Sequence, residues 1–186
     1  MISAILLAAG QSKRFGKKNK LIIKYKNKSL IQSALLNLLK SNVNKIVVVL
    51  GHEQTQIKKR IYKKKNIKIV INKKFNSGIA SSISCGLKYL DNKTTGFFVC
   101  LGDMPNVNKN VYNKLILNFY KHNKIIVPCY KNKRGNPVIF PVKYKKKLMS
   151  LKGDNGAKKL LKKNCQIVFF KNKSILFDID LKTDIK

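Results

Sequence analysis

Apolar residues fall along the chain in two alternating patterns. Short apolar runs of strand length occupy Ile2 to Ala8, Lys45 to Leu50, Ile67 to Ile71, Phe97 to Leu101, Ile125 to Cys129, Val138 to Phe140 and Gln166 to Phe170. Between them lie longer stretches whose apolar positions recur with a helical period. In Ser29 to Leu39, residues Leu30, Ala34, Leu35 and Leu38 share one face behind a capping Ser29, and Ala80 to Leu90, Lys109 to His122 and Asn155 to Lys163 are patterned alike. Strand-sized runs separated by amphipathic helices predict a mostly parallel sheet covered by helices. No repeat or composition break divides the chain, so one α/β domain over residues 1–186 is expected. In such a sheet, ligands bind where strand ends run into the loops before helices, and those loops are where chemistry should be sought.

Composition changes that picture little. Of 186 residues, 44% are hydrophobic and only 4 are Pro and 10 Gly, enough apolar material for a core and too much for a disordered basic tail. Every apolar run is too short to span a membrane, and none has the basic lead-in of a signal peptide, so a cytoplasmic protein without membrane partners is expected. Forty-one Lys and Arg against 7 Asp and Glu give a formal charge of +34, which at first suggests nucleic acid. Only Arg14, Arg60 and Arg134 are Arg, however, and the lysines are scattered among Asn and Ile. AT-rich codons specify all three of those residue types, so base composition suffices to explain the charge and no specific nucleic-acid partner is inferred. Cys85, Cys100, Cys129 and Cys165 form no C-x-x-C pair and sit among apolar neighbours, which suits buried reduced thiols rather than zinc ligands. With so few acids, the surviving carboxylates carry more information than the cations.

Three loops after strands hold the candidate chemistry. The first runs Leu7-Ala8-Ala9-Gly10-Gln11-Ser12-Lys13-Arg14-Phe15-Gly16-Lys17-Lys18-Asn19-Lys20. It matches neither a Walker loop nor G-x-G-x-x-G. Even so, two glycines, a hydroxyl and the charges of Arg14 and Lys20 make an anion site suited to a triphosphate. The second, from Asn72 through Gly78 to Gly86, opens a helix with small hydroxyl residues including Ser82. The third, Gly102-Asp103-Met104-Pro105, puts a carboxylate just past a buried strand, where it serves either a turn or a hard divalent cation. Near the end of the chain, Asp178 and Asp180 are spaced to point the same way on an extended segment and reach one cation together, a metal or lysines serving equally to offset their repulsion.

The first loop closely resembles the L-A-A-G-x-S-x-R-M-G-x-x-K signature of the molybdenum cofactor cytidylyltransferases, a branch of the nucleotidyltransferase superfamily. Phe15 replaces the usual Met, and Lys17, Lys18 and Lys20 all fall near the signature lysine, with Lys20 preferred because Asn19-Lys20-Leu21 matches the N-K-L ending. The segment from Asn72 to Leu87 resembles the family's N-x-x-x-x-x-G-x-x-S-S-(I/L)-x-x-G-L, and Gly102 to Pro105 its G-D-M/Q-P. The tail is similar to D-I-D-T-P-E-D-L, although Leu181, Lys182 and Thr183 replace T-P-E. Arg134-Gly135-Asn136-Pro137-Val138 and Gly153-Asp154-Asn155-Gly156-Ala157-Lys158 resemble R-G-x-P-V and G-D-x-G-A-R.

The resemblance implies a Rossmann-like three-layer α/β/α sandwich of the nucleotide-diphospho-sugar transferase type. It further implies nucleotide binding by Leu7, Ala8, Ala9, Gly10, Ser12, Arg14, Gly16, Lys20, Asn72, Ser82 and Asp103, with Arg14, Lys20 and Asp103 catalytic. Mg²⁺ falls to Asp103 and Asp180, and the acceptor to Arg134, Gly135, Asp154 and Lys158. The implied reaction moves CMP from CTP to molybdopterin, with a molybdenum hydroxylase as the downstream recipient. The guanylyl branch typically carries L-A-G-G, so the methyl of Ala9 leaves less room beside the base and favours a pyrimidine. Transfer to a sugar or alcohol phosphate, a basic nucleic-acid-binding protein and a non-catalytic cofactor-delivery factor are the alternatives.

Overall fold

The computed structural model describes residues 1–16, 18–154, 158–161 and 165–185, with side chains for all of these except Lys158 and Lys159. Among the described residues, ten strands and five α-helices follow one another. The strands are β1 (Ile2–Ala8), β2 (Lys24–Tyr25), β3 (Lys28–Ser29), β4 (Lys45–Leu50), β5 (Ile67–Ile71), β6 (Gly96–Leu101), β7 (Ile125–Tyr130), β8 (Lys133–Arg134), β9 (Val138–Pro141) and β10 (Cys165–Phe169). The helices are α1 (Leu30–Leu39), α2 (Gln54–Lys58), α3 (Ile79–Leu87), α4 (Lys109–His122) and α5 (Lys145–Met149).

Strands β10-β7-β9-β6-β1-β4-β5 lie side by side in that order, with β8 paired to β7 to complete an eight-stranded sheet. The β1–β4, β1–β6, β4–β5 and β7–β10 pairs are parallel, and only β8 and β9 run against the rest. The sheet is therefore mostly parallel, with the carboxyl ends of β1 and β6 side by side at its centre.

Side chains of each strand divide between two cores. Along β1, Ile2, Ala4, Leu6 and Ala8 face one core while Ile5 and Leu7 face the other, as the period of two requires. The first core packs under α1 and α4 through residues such as Leu35, Leu38, Leu115 and Phe119. The second packs under α3 and α5 through Ile83, Leu87 and Leu148. Both faces of the sheet are covered, which is why its central strands read as unbroken apolar runs.

Helix α1 starts behind Ser29, which accepts a hydrogen bond from the Gln32 N–H while the Gln32 side chain accepts one from the Ser29 N–H. Helix α3 ends at Leu87, three residues before the apolar pattern does. Its last turn tightens through Tyr89 N–H to Gly86 O and Leu90 N–H to Leu87 O, and Leu90 stays buried outside the helix. Gly86 lets this helix lie directly on the sheet, since a Cβ there would stand 2.4 Å from Ile5 Cγ2 and 2.9 Å from Val49 Cγ2. The α3 N-terminus is thereby set against the loop after β1.

Of the predicted Asn155 to Lys163 helix, residues 155–157 and 162–163 lie outside the described residues, and a 3₁₀ turn covers Lys158–Leu161. Cys100 and Cys129 are buried thiols as expected, whereas Cys85 and Cys165 are half-exposed; all four are free. The two half-exposed cases sit on elements whose outer faces meet solvent, α3 and the sheet-edge strand β10. No helix among the described residues is long and apolar enough to cross a membrane.

Candidate active site

A cleft of about 540 Å³ opens over the carboxyl ends of β1 and β6. The loop after β1 forms one wall through Ala9, Gly10, Gln11, Ser12, Lys13 and Arg14. The start of α3, with Gly78, Ile79 and Ser82, forms another, and Gly102, Asp103, Lys20 and Asp180 form the floor.

The loop is held in shape by its own polar groups. Ser12 adopts a left-handed backbone, and its hydroxyl donates to Asn19 Oδ1 at 3.3 Å while accepting from the Lys20 N–H at 3.2 Å. Asn19 is buried, and its Oδ1 also accepts from the Leu21 N–H at 3.0 Å, which starts the short turn Lys20–Ile22. This stitch between residues 12 and 19–21 aims the Lys20 side chain inward. Lys18 is exposed and off the cleft lining, Lys17 lies outside the described residues, and Lys20 lines the cleft. A Cβ on Gly10 would meet nothing within 4 Å, so the space above this backbone is open to a ligand.

The tail reaches the floor by a specific route. The buried Ile179 donates its N–H to the Asp103 carbonyl at 3.1 Å, fixing residues 178–180 beside the end of β6. Because Ile179 points into the core, its neighbours Asp178 and Asp180 point out toward Asp103. Carboxylate oxygens of Asp103, Asp178 and Asp180 then lie within 4.8 Å of one another, the one such cluster among the described residues. The altered sequence after Asp180 keeps its turn because Asp184 Oδ2 accepts from the N–H groups of Asp180 at 2.9 Å and Leu181 at 2.7 Å. Those backbone bonds, Leu181's first and Asp180's second, hold the Asp184 carboxyl below the usual range.

Lys20 Nζ sits among these carboxylates, 2.6 Å from Asp103 Oδ2 and 2.6 Å from Asp180 Oδ1, and Arg14 meets Asp180 Oδ2 at 2.8 Å. Burial pulls the Lys20 ammonium pKa down, but Asp103 and then Asp180 more than offset this, so it stands above its ordinary value and Lys20 is charged. Asp103 Oδ1 is buried with no hydrogen-bond partner among the described residues. An orphaned carboxylate oxygen beside two further carboxylates is the donor set a hard divalent cation takes, so the residues fit such a cation.

Partial burial, followed by the charges of Asp103 and Asp180, raises the pKa of Asp178. A carboxyl raised in the folded state costs stability once ionised, so that cost is absent in acid and appears as pH climbs through the raised value. Asp178→Asn is therefore expected to raise the Tm of the metal-free protein slightly near neutral pH. The gain should vanish below the ordinary carboxylate range, which thermal melts of both proteins across pH would check.

Other predicted residues are placed differently. Leu7, Ala8 and Ser82 line the cleft. Gly16, at φ +101°, closes the loop's short turn but is off the lining. The buried Asn72 is also off it, its amide donating to Ser81 and Ser82 Oγ at 2.9 and 3.0 Å and accepting from the Lys74 N–H. It braces the start of α3 from behind. Asp154 does line the cleft, where its Oδ1 accepts from the Ile79 N–H at 3.1 Å. That close approach requires Gly78, because a Cβ there would stand 2.5 Å from the Gly153 carbonyl carbon. Arg134 donates to Leu161 O at 2.9 Å on the exposed β8, and Gly135 packs against Ile175 O, so neither joins the cleft. The Lys158 side chain lies outside the described residues.

The lining also includes Phe75 and Asn76, absent from the predicted set, and Gln11 and Asn76 join the two walls by a side-chain hydrogen bond. Neither residue type carried a chemical signal. Asn19 was likewise missed, although Asx side chains ahead of a turn are a recognised capping signal.

Residues 4–168 match the model of the MobA-like NTP transferase domain. The chain belongs to that family. Its fold and superfamily are thus those of the nucleotidyltransferases. Among curated relatives, it is 25% identical to nicotine blue oxidoreductase of Paenarthrobacter nicotinovorans, over 90% of this chain and 84% of that one. It is 23% identical to the molybdenum cofactor cytidylyltransferase of Escherichia coli K12, over 74% of this chain and 69% of that one. Its fold is similar to that of Rv0371c from Mycobacterium tuberculosis H37Rv, at a TM-score of 0.87 and 23% identity over 98% of this chain and 94% of the other. A manganese complex of Rv0371c matches at a TM-score of 0.77 and 20% identity, over 91% of this chain and 88% of that one.

Proposed function

We propose that this protein is a Mg²⁺-dependent cytidylyltransferase that moves CMP from CTP to molybdopterin or its molybdenum form, releasing pyrophosphate. The observation that carries this is the Asp103, Asp178 and Asp180 cluster, whose Asp103 and Asp180 lie on the cleft floor in contact with the loop cations Arg14 and Lys20. An acceptor phosphate oxygen attacks the α-phosphate in line, and the bond to pyrophosphate breaks with its electron pair staying on the leaving group. The acceptor is already ionised, so no general base is needed. Lys20, Arg14 and the backbone N–H groups from Gly10 to Lys13 bind the β- and γ-phosphates and stabilise the charge that grows there. When bound, Mg²⁺ held by Asp103 and Asp180 neutralises phosphate charge and polarises the reacting phosphoryl group. The start of α3 forms the opposite wall, lined by Ser82, whose hydroxyl accepts from Asn72, while Asn72 and Asp154 hold that wall in place.

The choice of CTP rests on Ala9, which is buried on the cleft lining. A Cβ on Gly51 would stand 2.8 Å from the Ala9 Cβ, so the Ala9 methyl packs closely against Gly51; that this methyl narrows the space for a base is what the family resemblance implies. Ala9→Gly is expected to shift the CTP-to-GTP ratio of kcat/KM toward GTP by about tenfold, the scale of one methyl-sized discrimination. An unchanged ratio would remove Ala9 from the specificity determinants.

The proposal is tested by pyrophosphate release with each of the four ribonucleoside triphosphates, Mg²⁺ and molybdopterin. Turnover is expected with CTP and molybdopterin together. Equal turnover on a sugar or alcohol phosphate would move the assignment to another transferase of this fold, where a molybdenum hydroxylase is not the recipient. A cytoplasmic setting follows from the same reading, since both substrates belong there.

A further inference from the structure

The floor of the cleft already contains a cation. Lys20 Nζ lies 2.6 Å from both Asp103 Oδ2 and Asp180 Oδ1, and its side chain is only 13% exposed. Two of the oxygens that the metal reading assigns to Mg²⁺ are thus engaged by the protein's own ammonium, and a third, Asp180 Oδ2, is engaged by Arg14. A divalent cation brought to the same oxygens would meet two like charges at close range. Among the described residues, Asp103 Oδ1 alone is left buried and unpaired beside them.

We propose that Lys20 is a displaceable internal counter-ion that holds the Asp103 and Asp180 carboxylates together in the empty enzyme and makes metal binding conditional on arrival of the triphosphate. This rests on reading the cleft as a triphosphate and metal site. The ammonium is on a flexible four-carbon stem, and the Arg14 side chain is 74% exposed, so both can turn from the carboxylates to phosphate oxygens. The triphosphate supplies the new partners, the carboxylates are released, and the metal enters on the oxygens vacated. Three carboxylates facing two cations explain why the cluster tolerates its own repulsion without a metal. By linkage, the triphosphate tightens metal binding by the same factor that the metal tightens triphosphate binding.

The test is Mn²⁺ binding to the full chain, followed by the electron paramagnetic resonance signal of free Mn²⁺, with and without CTP and with no acceptor present. The wild type should bind Mn²⁺ weakly alone and much more tightly with CTP. Lys20→Met should bind Mn²⁺ alone about tenfold more tightly than the wild type, since the competing cation is gone. Arg14→Gln, at an exposed position that the fold does not need, should change Mn²⁺ affinity in the same direction by a smaller factor. The proposal is overturned if neither substitution tightens Mn²⁺ binding, or if the wild type binds Mn²⁺ equally well without CTP. Failure to transfer CMP to any acceptor would overturn the proposed function and leave these affinities standing.

Discussion

Asp103→Asn is expected to lower CMP transfer on the order of 10²–10³-fold, the scale of removing one preorganised charge-stabilising group. The substitution keeps the shape of the side chain and an oxygen for Lys20, and the backbone bond from Ile179 to the Asp103 carbonyl is untouched. Loss of activity without loss of the fold is therefore the expected outcome, read as single-turnover rates beside a thermal melt. A residual rate within a few-fold of the wild type would contradict the role given to this carboxylate. A delivery factor that never turns CTP over would also be indifferent to it.

Lys20→Met is expected to cost a similar factor for the opposite reason. Here the carboxylates and their metal remain, and what is lost is the ammonium facing the leaving pyrophosphate. That charge matters most as the bond breaks, so kcat should fall on the order of 10²-fold while KM for CTP moves much less. The metal requirement should persist. A rise in KM with kcat unchanged would mean that Lys20 only holds the nucleotide on the ground-state side of the reaction.

The sheet was legible in the chain for a physical reason. Central strands covered on both faces must be apolar throughout, and the edge strands β5 and β10 keep enough apolar residues, so every main-sheet strand apart from β8 appears as a run within a residue of its observed ends. Short elements left no such trace. Helices α2 and α5 have five residues each, too few for a period, and the β2–β3 hairpin and β8 consist of two-residue strands. They exist because tertiary packing fixes them, as when Ile57 of α2 and Leu148 of α5 are fully buried.

The site was legible by residue type and illegible by partner. Gly10, Ser12, Arg14, Lys20, Asp103 and Asp180 all line the predicted cleft, because loops that follow parallel strands converge there. That Lys20 lies between two of the acids depends on the Ser12–Asn19 stitch, of which only the Asx cap at Asn19 leaves a sequence signal, and on Ile179 pinning the tail, which leaves none. Asn72 and Arg134 show the converse. Both looked like ligand contacts, and both direct their polar groups to the scaffold: Asn72 to Ser81 and Ser82, Arg134 to Leu161. Buried or tethered polar groups must find partners, and at these positions the fold supplies them.

The charge of +34 is likewise recast. Most of it decorates the surface, as in the lysines that lie over Tyr25, Tyr89, Phe170, Tyr130 and Tyr144. Two cations, Arg14 and Lys20, are set apart by meeting acids on the cleft floor.

The most direct measurement follows the α-phosphate of CTP. With CTP labelled at that position, molybdopterin and Mg²⁺, the label should pass to the pterin as a cytosine dinucleotide, with one pyrophosphate released per transfer. Label that stays in CTP, or appears only as free CMP at a rate independent of molybdopterin, would contradict cytidylyl transfer as the function of this cleft.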